Sequence, residues 1–182
     1  MDRLPFAATP LSAAYDGIKR LPVTVLLDNV RSMYNIGSFF RTADACAAEA
    51  LLLAGIASTP ERNPKQIAKT ALGAEFTVPW RYAPNPLDLL PDNTEIAAIE
   101  TTPRAIDLFD WQPRFPVCVI FGHEVDGIQP ALSARADVHI RLPMLGVKHS
   151  LNVATAGGIV LYELLRKYRN LQNSTIGSGA FG

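Results

Sequence analysis

The run Pro116-Val-Cys-Val-Ile-Phe121, halted by Gly122, most constrains the fold of this chain. Unbroken β-branched and apolar residues with no polar alternation mark a strand buried on both faces. Similar short runs occur at Val23 to Leu27, Ala50 to Ala54 and Glu95 to Ile99, and Val138 to Leu142 alternates before Pro143. Phe76 to Val78 reads as one more short strand. Between the runs lie stretches with helical features. Asn35 to Ala48 is rich in small and apolar residues, with Asn35 as a plausible N-cap, and Pro64 is placed to start a second helix. Ser150 to Tyr168 carries Ile159, Leu161, Tyr162 and Leu165 at helical spacing, with Arg166 and Lys167 in its last turn. Strands that alternate with helices predict an α/β protein with a mostly parallel sheet flanked by helices.

Three segments sit where these apolar runs give way to loops or helices, the boundary at which α/β proteins bind ligands. The first runs from Asn29 to Thr42 and contains Asn35, Gly37 and Arg41. The second, Phe121 to Ile128, contains Gly122, Glu124 and Gly127. The third runs from Leu142 to Ala156 through Pro143, Met144, Ser150, Leu151 and Asn152. Familiar alternatives do not fit them. No Gly-x-Gly-x-x-Gly follows a strand, and Ile128 stands where a phosphate-binding loop needs lysine. His123, His139 and His149 have no metal-ligand spacing, and no hydrolase nucleophile elbow is present.

In this order, each behind a strand, the three segments resemble the signature motifs of the SpoU/TrmH family of RNA ribose methyltransferases, in the knotted SPOUT class. The resemblance covers Pro22 to Tyr168. It implies a deep trefoil knot around the second and third motifs, which composition does not show and which is rare among folds at large. It also implies a site for S-adenosylmethionine built from Phe121, Gly122, Glu124, Gly127, Ile128, Leu142, Pro143, Met144, Ser150 and Leu151. The catalytic group it implies is Arg41, Asn35, Glu124, Ser150 and Asn152, in a homodimer whose last helix forms the interface, with Leu161, Tyr162 and Leu165 on it. His123 departs from the pattern, since many members carry asparagine there.

The residues support these roles with different force. Arg41, set among Phe39, Phe40, Ala43 and Ala45, is a charge rooted in a packed helix, and such a charge usually has a partner or a ligand. A ribose 2′-hydroxyl is a weak acid, so methylation needs its proton removed or its developing charge stabilised. Arginine is a poor base, which favours Arg41 as a stabiliser that also grips the neighbouring phosphate with its planar fork. Ser150 and Asn152 fit equally as helix-capping residues and as site residues.

Composition sets bounds. The length of 182 residues suits one domain. The expected divisions are a short N-terminal extension over 1–21, a methyltransferase domain over 22–169 and a flexible Gly/Ser-rich tail over 170–182. Seventeen basic and seventeen acidic residues give zero formal charge, which argues against a general nucleic-acid binder but not against an enzyme gripping a few phosphates. Lys65 and Lys69, beside the Ser58 to Pro64 loop, are candidates for contact with a stem-loop. Cys46 and Cys118, both among apolar residues, read as reduced core thiols of a cytoplasmic protein. No membrane span and no metal are expected. The expected function is therefore an S-adenosylmethionine-dependent tRNA or rRNA 2′-O-methyltransferase. Its alternatives are base-nitrogen methylation by the same class and a non-catalytic RNA-binding assembly factor.

Overall fold

In the computed structural model, which describes residues 18–177, seven strands form one sheet in the order β3-β2-β1-β6-β4-β7-β5, and every pairing is parallel. The strands are β1 (Leu21–Asp28), β2 (Ala48–Ala54), β3 (Trp80–Ala83), β4 (Glu95–Ile99), β5 (Ile106–Asp107), β6 (Val117–Phe121) and β7 (Val138–Arg141). The helices are α1 (Met33–Ala45), α2 (Pro64–Ala71), α3 (Pro130–Ser133) and α4 (Val153–Gly177). The α/β expectation holds, and the apolar runs are buried on both faces because the sheet has two cores. Val25, Leu27, Leu51, Leu53, Val119 and Phe121 face α1 and α4 on one side. Leu26, Leu52, Cys118, Ile120 and Leu132 pack on the other.

The chain leaves β1 through α1 to β2 on one side, while β6 pairs on its other side, Val23 against Val117 and Leu27 against Phe121. The carboxyl ends of β1, β6, β4 and β7 therefore stand side by side at a reversal of strand order, where open α/β sheets form a crevice. The N-terminal half of α4 packs against α1. The rings of Phe39 and Phe121 meet at 5.1 Å, and a Cβ on Gly157 would stand 2.2 Å from the Phe39 ring. Burying Phe39 and Phe40 contributes about 2–3 kcal/mol each. On the other flank α2 crosses α1 at Gly37, where a Cβ would meet the Ile67 carbonyl oxygen at 2.4 Å.

Several local expectations are corrected. Phe76 to Val78 is not a strand: Ala74–Phe76 forms a 3-10 turn, entered at Gly73 with φ of 98° and tied by the Glu75 carboxylate, which accepts from the Gly73 N–H. The strand comes later, at Trp80–Ala83. Asn35 is not the cap of α1. Ser32 is, its Oγ accepting from the Asn35 N–H at 3.3 Å, and the helix stops at Ala45 rather than Ala48. Ser150 does not open α4. Asn152 does, its Oδ1 accepting from the N–H groups of Ala154 and Thr155 at 3.0 and 3.2 Å.

The tail expected over 170–182 is helical as far as Gly177, because each residue added to a packed helix gains a backbone hydrogen bond without a new nucleus. Residues 178–182 and 1–17 lie outside the described residues, and so does most of the expected N-terminal extension. Leu161 is fully buried in the protomer's own core and Leu165 is half-buried against it, so of the three expected interface residues only Tyr162 is exposed. Lys167 is buried and donates to the carbonyls of Leu108, Phe109 and Trp111, fixing α4 to the segment that leads into β6. Cys46 and Cys118 are free and buried. Burial pushes their thiols up to about 11 and about 12, so both are protonated core groups. No described helix is long and apolar enough to cross a membrane.

Candidate functional site

The loop after β6 is closed on itself. His123 and Gly127 exchange two backbone hydrogen bonds of 3.0 Å each, and Gly127 adopts φ of 72°. This closure brings backbone so near Gly122 that a Cβ there would lie 2.2 Å from the Gly127 carbonyl carbon and 2.3 Å from the Ile128 nitrogen. Both sides of the loop are fastened. The Glu100 carboxylate, just past β4, accepts from the Ile128 N–H at 3.3 Å. Asp28, fully buried at the end of β1, accepts from the Gln129 backbone at 2.8 Å and from its side-chain amide at 2.7 Å.

Glu124, at the tip of this loop, reaches the start of α1. Its Oε1 accepts from Asn35 Nδ2 at 3.0 Å, and the Asn35 Oδ1 accepts from Asn152 Nδ2 at 3.2 Å. A chain Asn152–Asn35–Glu124 thus links the three segments singled out in the sequence. Partial burial would raise the Glu124 carboxyl. Hydrogen bonds from its own N–H, from Asn35 and from the backbone of Arg31 and Ser32 outweigh that and hold it below the ordinary carboxylate value. Glu124 is ionised near neutrality, and the amides at the start of α1 favour that charge.

Beside this chain lies a cavity of about 570 Å³. The volume is in the range of small-molecule sites. Of the expected cofactor residues, Phe121, Gly122, Glu124, Gly127, Ile128, Leu142, Met144, Ser150 and Leu151 all line it, and Pro143 does not. Asn152 lines it too. Sequence reasoning missed Ile99, Glu100, Thr101 and Ile140, which line it as well. They follow or end β4 and β7, and only the strand order, which places those strands next to β6, could have pointed to them.

Arg41 stands apart. It is exposed on α1 and lines a second cavity of about 420 Å³ with Ser38, Thr42, Ala45, Lys69, Thr70 and Tyr162. Its side chain makes no hydrogen bond or ion pair with any described residue. Within one protomer, therefore, the chain that joins Asn35, Glu124 and Asn152 does not include it.

Comparison with known proteins identifies the family. Residues 22–162 match the SpoU rRNA Methylase family. A 23S rRNA (uridine(2479)-2'-O)-methyltransferase of Streptomyces viridochromogenes is 32% identical over 166 residues, covering 84% of this chain. The 23S rRNA (guanosine-2'-O-)-methyltransferase RlmB of Ralstonia nicotianae is 31% identical over 168 residues, covering 88% of this chain. The chain spans 57% and 65% of the length of these two relatives. The solved structure of the SpoU methyltransferase AviRb from Streptomyces viridochromogenes, in complex with AdoMet, superposes with a TM-score of 0.75 at 26% identity, covering 85% of this chain and 63% of that one. With its three motif segments meeting at the carboxyl ends of β1, β6 and β7, the chain belongs to the SpoU family of RNA methylases.

Proposed function

We propose that this protein is an S-adenosylmethionine-dependent RNA 2′-O-methyltransferase acting on tRNA or rRNA. The observation that carries the reading is the Asn152–Asn35–Glu124 chain beside a cavity lined by nine of the ten residues expected to hold the cofactor. The residues present fit that molecule. Apolar walls from Ile99, Leu142, Leu151 and Val153 suit the faces of an adenine. The Glu100 carboxylate and Thr101 hydroxyl offer polar partners to ribose hydroxyls, and the looped backbone of 122–128 offers amides and carbonyls.

Bound by the residues that line the cavity, the cofactor would supply an electrophilic sulfonium methyl for transfer to the ribose oxygen, with S-adenosylhomocysteine as the leaving group. The protein's part is to position and to stabilise. Glu124, kept ionised, orients the Asn35 amide, and Asn35 in turn orients Asn152 at the start of α4. Arg41 stabilises the ribose oxygen as it loses its proton, and the proton passes to solvent rather than to a guanidine that stays charged.

Because Arg41 lies outside the cavity of its own protomer, the reading includes a homodimer in which each cavity faces the Arg41 surface of a second copy. Tyr162 at 54% exposure and Ile159 at 38%, on a helix otherwise packed through Val160, Leu161 and Leu164, support α4 as that contact. The trefoil knot belongs to the same reading. It is supported by the late insertion of β6 between β1 and β4 and of β7 between β4 and β5. Two reduced, buried thiols support a cytoplasmic protein.

The test is methyl transfer from S-[methyl-³H]adenosylmethionine to unmodified tRNA and rRNA, with the labelled nucleoside identified by mass spectrometry. A 2′-O-methylnucleoside is expected; label on a base nitrogen would move the reaction to the alternative chemistry, and no label on any RNA would remove it. Arg41→Lys keeps the charge but loses the planar donors, so kcat is expected to fall at least tenfold. A turnover equal to the parent's would refute the fork-geometry role.

A further inference from the structure

The second cavity holds two cations and no carboxylate. Arg41 and Lys69 line it from adjacent helices, with Tyr162 of α4 at its edge. The Ser38 hydroxyl donates to the Tyr34 carbonyl at 2.9 Å, Thr42 to the Ser38 carbonyl at 3.0 Å and Thr70 to the Tyr34 carbonyl at 2.9 Å. Those protons are committed, so the donors left facing the cavity are Arg41, Lys69 and the Tyr162 phenol.

Neither cation makes an ion pair with a described residue. Lys69 is held instead by an aromatic ring, its Nζ 5.8 Å from the Tyr34 centroid and 3.5 Å from the Tyr34 hydroxyl. The Thr70-to-Tyr34 bond and the close crossing at Gly37 fix α2 on α1, so packed helices bring the two side chains to one cavity. Two like charges held at one cavity repel, and an anion between them relieves the cost. Tyr34 remains exposed beside the lysine, and its ring is a surface on which an unstacked base can lie.

We infer that Lys69 is a second clamp, beside Arg41, on the RNA phosphate next to the methylated ribose, held in the cavity that the two cations line. The inference rests on the RNA-methyltransferase reading and adds a residue, Lys69, to it. Arginine offers two parallel donors to a phosphate and lysine a point charge, so together they grip the diester without reading its sequence. Lys65, one turn earlier on α2, does not line the cavity.

The test is fluorescence anisotropy of the full chain with labelled, unmodified tRNA transcripts and 23S rRNA fragments over a series of salt concentrations. Titration with S-adenosylhomocysteine runs alongside. Lys69→Gln is expected to weaken every RNA that binds by a similar several-fold factor and to reduce the salt slope by about 1. S-adenosylhomocysteine affinity should stay unchanged, and Lys69→Arg should restore both RNA affinity and slope. Equal RNA affinity and slope in Lys69→Gln and the parent would overturn the subsite while leaving the RNA reading intact. So would an equal loss in Lys69→Gln and Lys69→Arg. A parent that binds S-adenosylhomocysteine but no RNA would overturn both. Inorganic phosphate that saturates the parent at submillimolar concentration, with RNA binding untouched, would assign the cavity to a free anion instead.

Discussion

Gly122→Ala puts the cavity proposed for the cofactor to its sharpest test. Gly122 is not in the left-handed region, so alanine meets no backbone penalty there, and the whole effect comes from one added carbon. That carbon would stand 2.2 Å from the Gly127 carbonyl carbon, 2.3 Å from the Ile128 nitrogen and 2.4 Å from the Gly127 oxygen. All three neighbours are backbone, so no rotamer change relieves the contact. The loop must open, losing the two His123–Gly127 hydrogen bonds at about 1 kcal/mol each. If it reclosed around a ligand, binding would bear that cost of about 2 kcal/mol, or roughly thirtyfold in Kd. About 4–8 °C should be lost from Tm, at about 2–4 °C per kcal/mol for a chain of this size. Calorimetric titration with S-adenosylhomocysteine and a thermal melt read the two parts separately. Gly146→Ala, where an added Cβ meets nothing within 4 Å, is the matched control. A Gly122→Ala protein that binds as tightly as that control and melts with it would refute the claim that loop closure shapes the cavity.

Three further outcomes follow from other contacts. Glu124 is held below the ordinary value of 4.5, so the stabilisation it brings is complete above pH 4.5 and is lost as pH falls through its folded value. The unfolding free energy of the parent in urea should exceed that of Glu124→Gln at pH 7 by less than about 1 kcal/mol, since the carboxylate is exposed, and the gap should narrow as pH falls below 4.5; a gap constant with pH would exclude the charge as its source. Gly157→Ala should cost about 1–3 kcal/mol against the Phe39 ring, whereas Gly158→Ala, with open space around it, should add about 0.5–1 kcal/mol; melts that shift the same way for both would contradict the packing of α4 on α1. Lys167→Met should lower stability by about 2–4 kcal/mol by leaving the carbonyls of Leu108, Phe109 and Trp111 without their donor, and an unchanged denaturation midpoint would show those groups satisfied by water.

The sequence made the inner strands legible because β1, β2, β4 and β6 are short apolar runs without alternation, a pattern that burial on both faces demands. It failed at Phe76, which is 75% exposed: three apolar or β-branched residues look like a strand, yet a left-handed Gly73 and the Glu75 carboxylate bend them into a turn. Helix starts were missed by two or three residues because Ser32, Asn35, Ser150 and Asn152 can all cap. The choice among them depends on tertiary partners: Asn35 is engaged by Glu124, 89 residues away. The lining of the cavity proposed for the cofactor was nearly complete in the motifs, but Glu100 and Ile140 entered it only through strand order. Arg41's separation from the cavity follows from six helical steps of about 100° each, which turn it roughly 120° from Asn35.

The Asn152–Asn35–Glu124 chain also has a direction. The Asn152 amide donates to the Asn35 carbonyl oxygen, and the Asn35 amide donates to the Glu124 carboxylate, so every dipole points its positive end toward one negative charge. Hydrogen bonds aligned in this way polarise one another. The other end of the chain is the Asn152 oxygen that starts α4. A proton added to Glu124 would therefore be felt in the first turn of a 25-residue helix, through two amides and no moving backbone. The loop that encloses the cavity and the helix proposed as the dimer contact are wired in series, so the charge state of one is a boundary condition on the other.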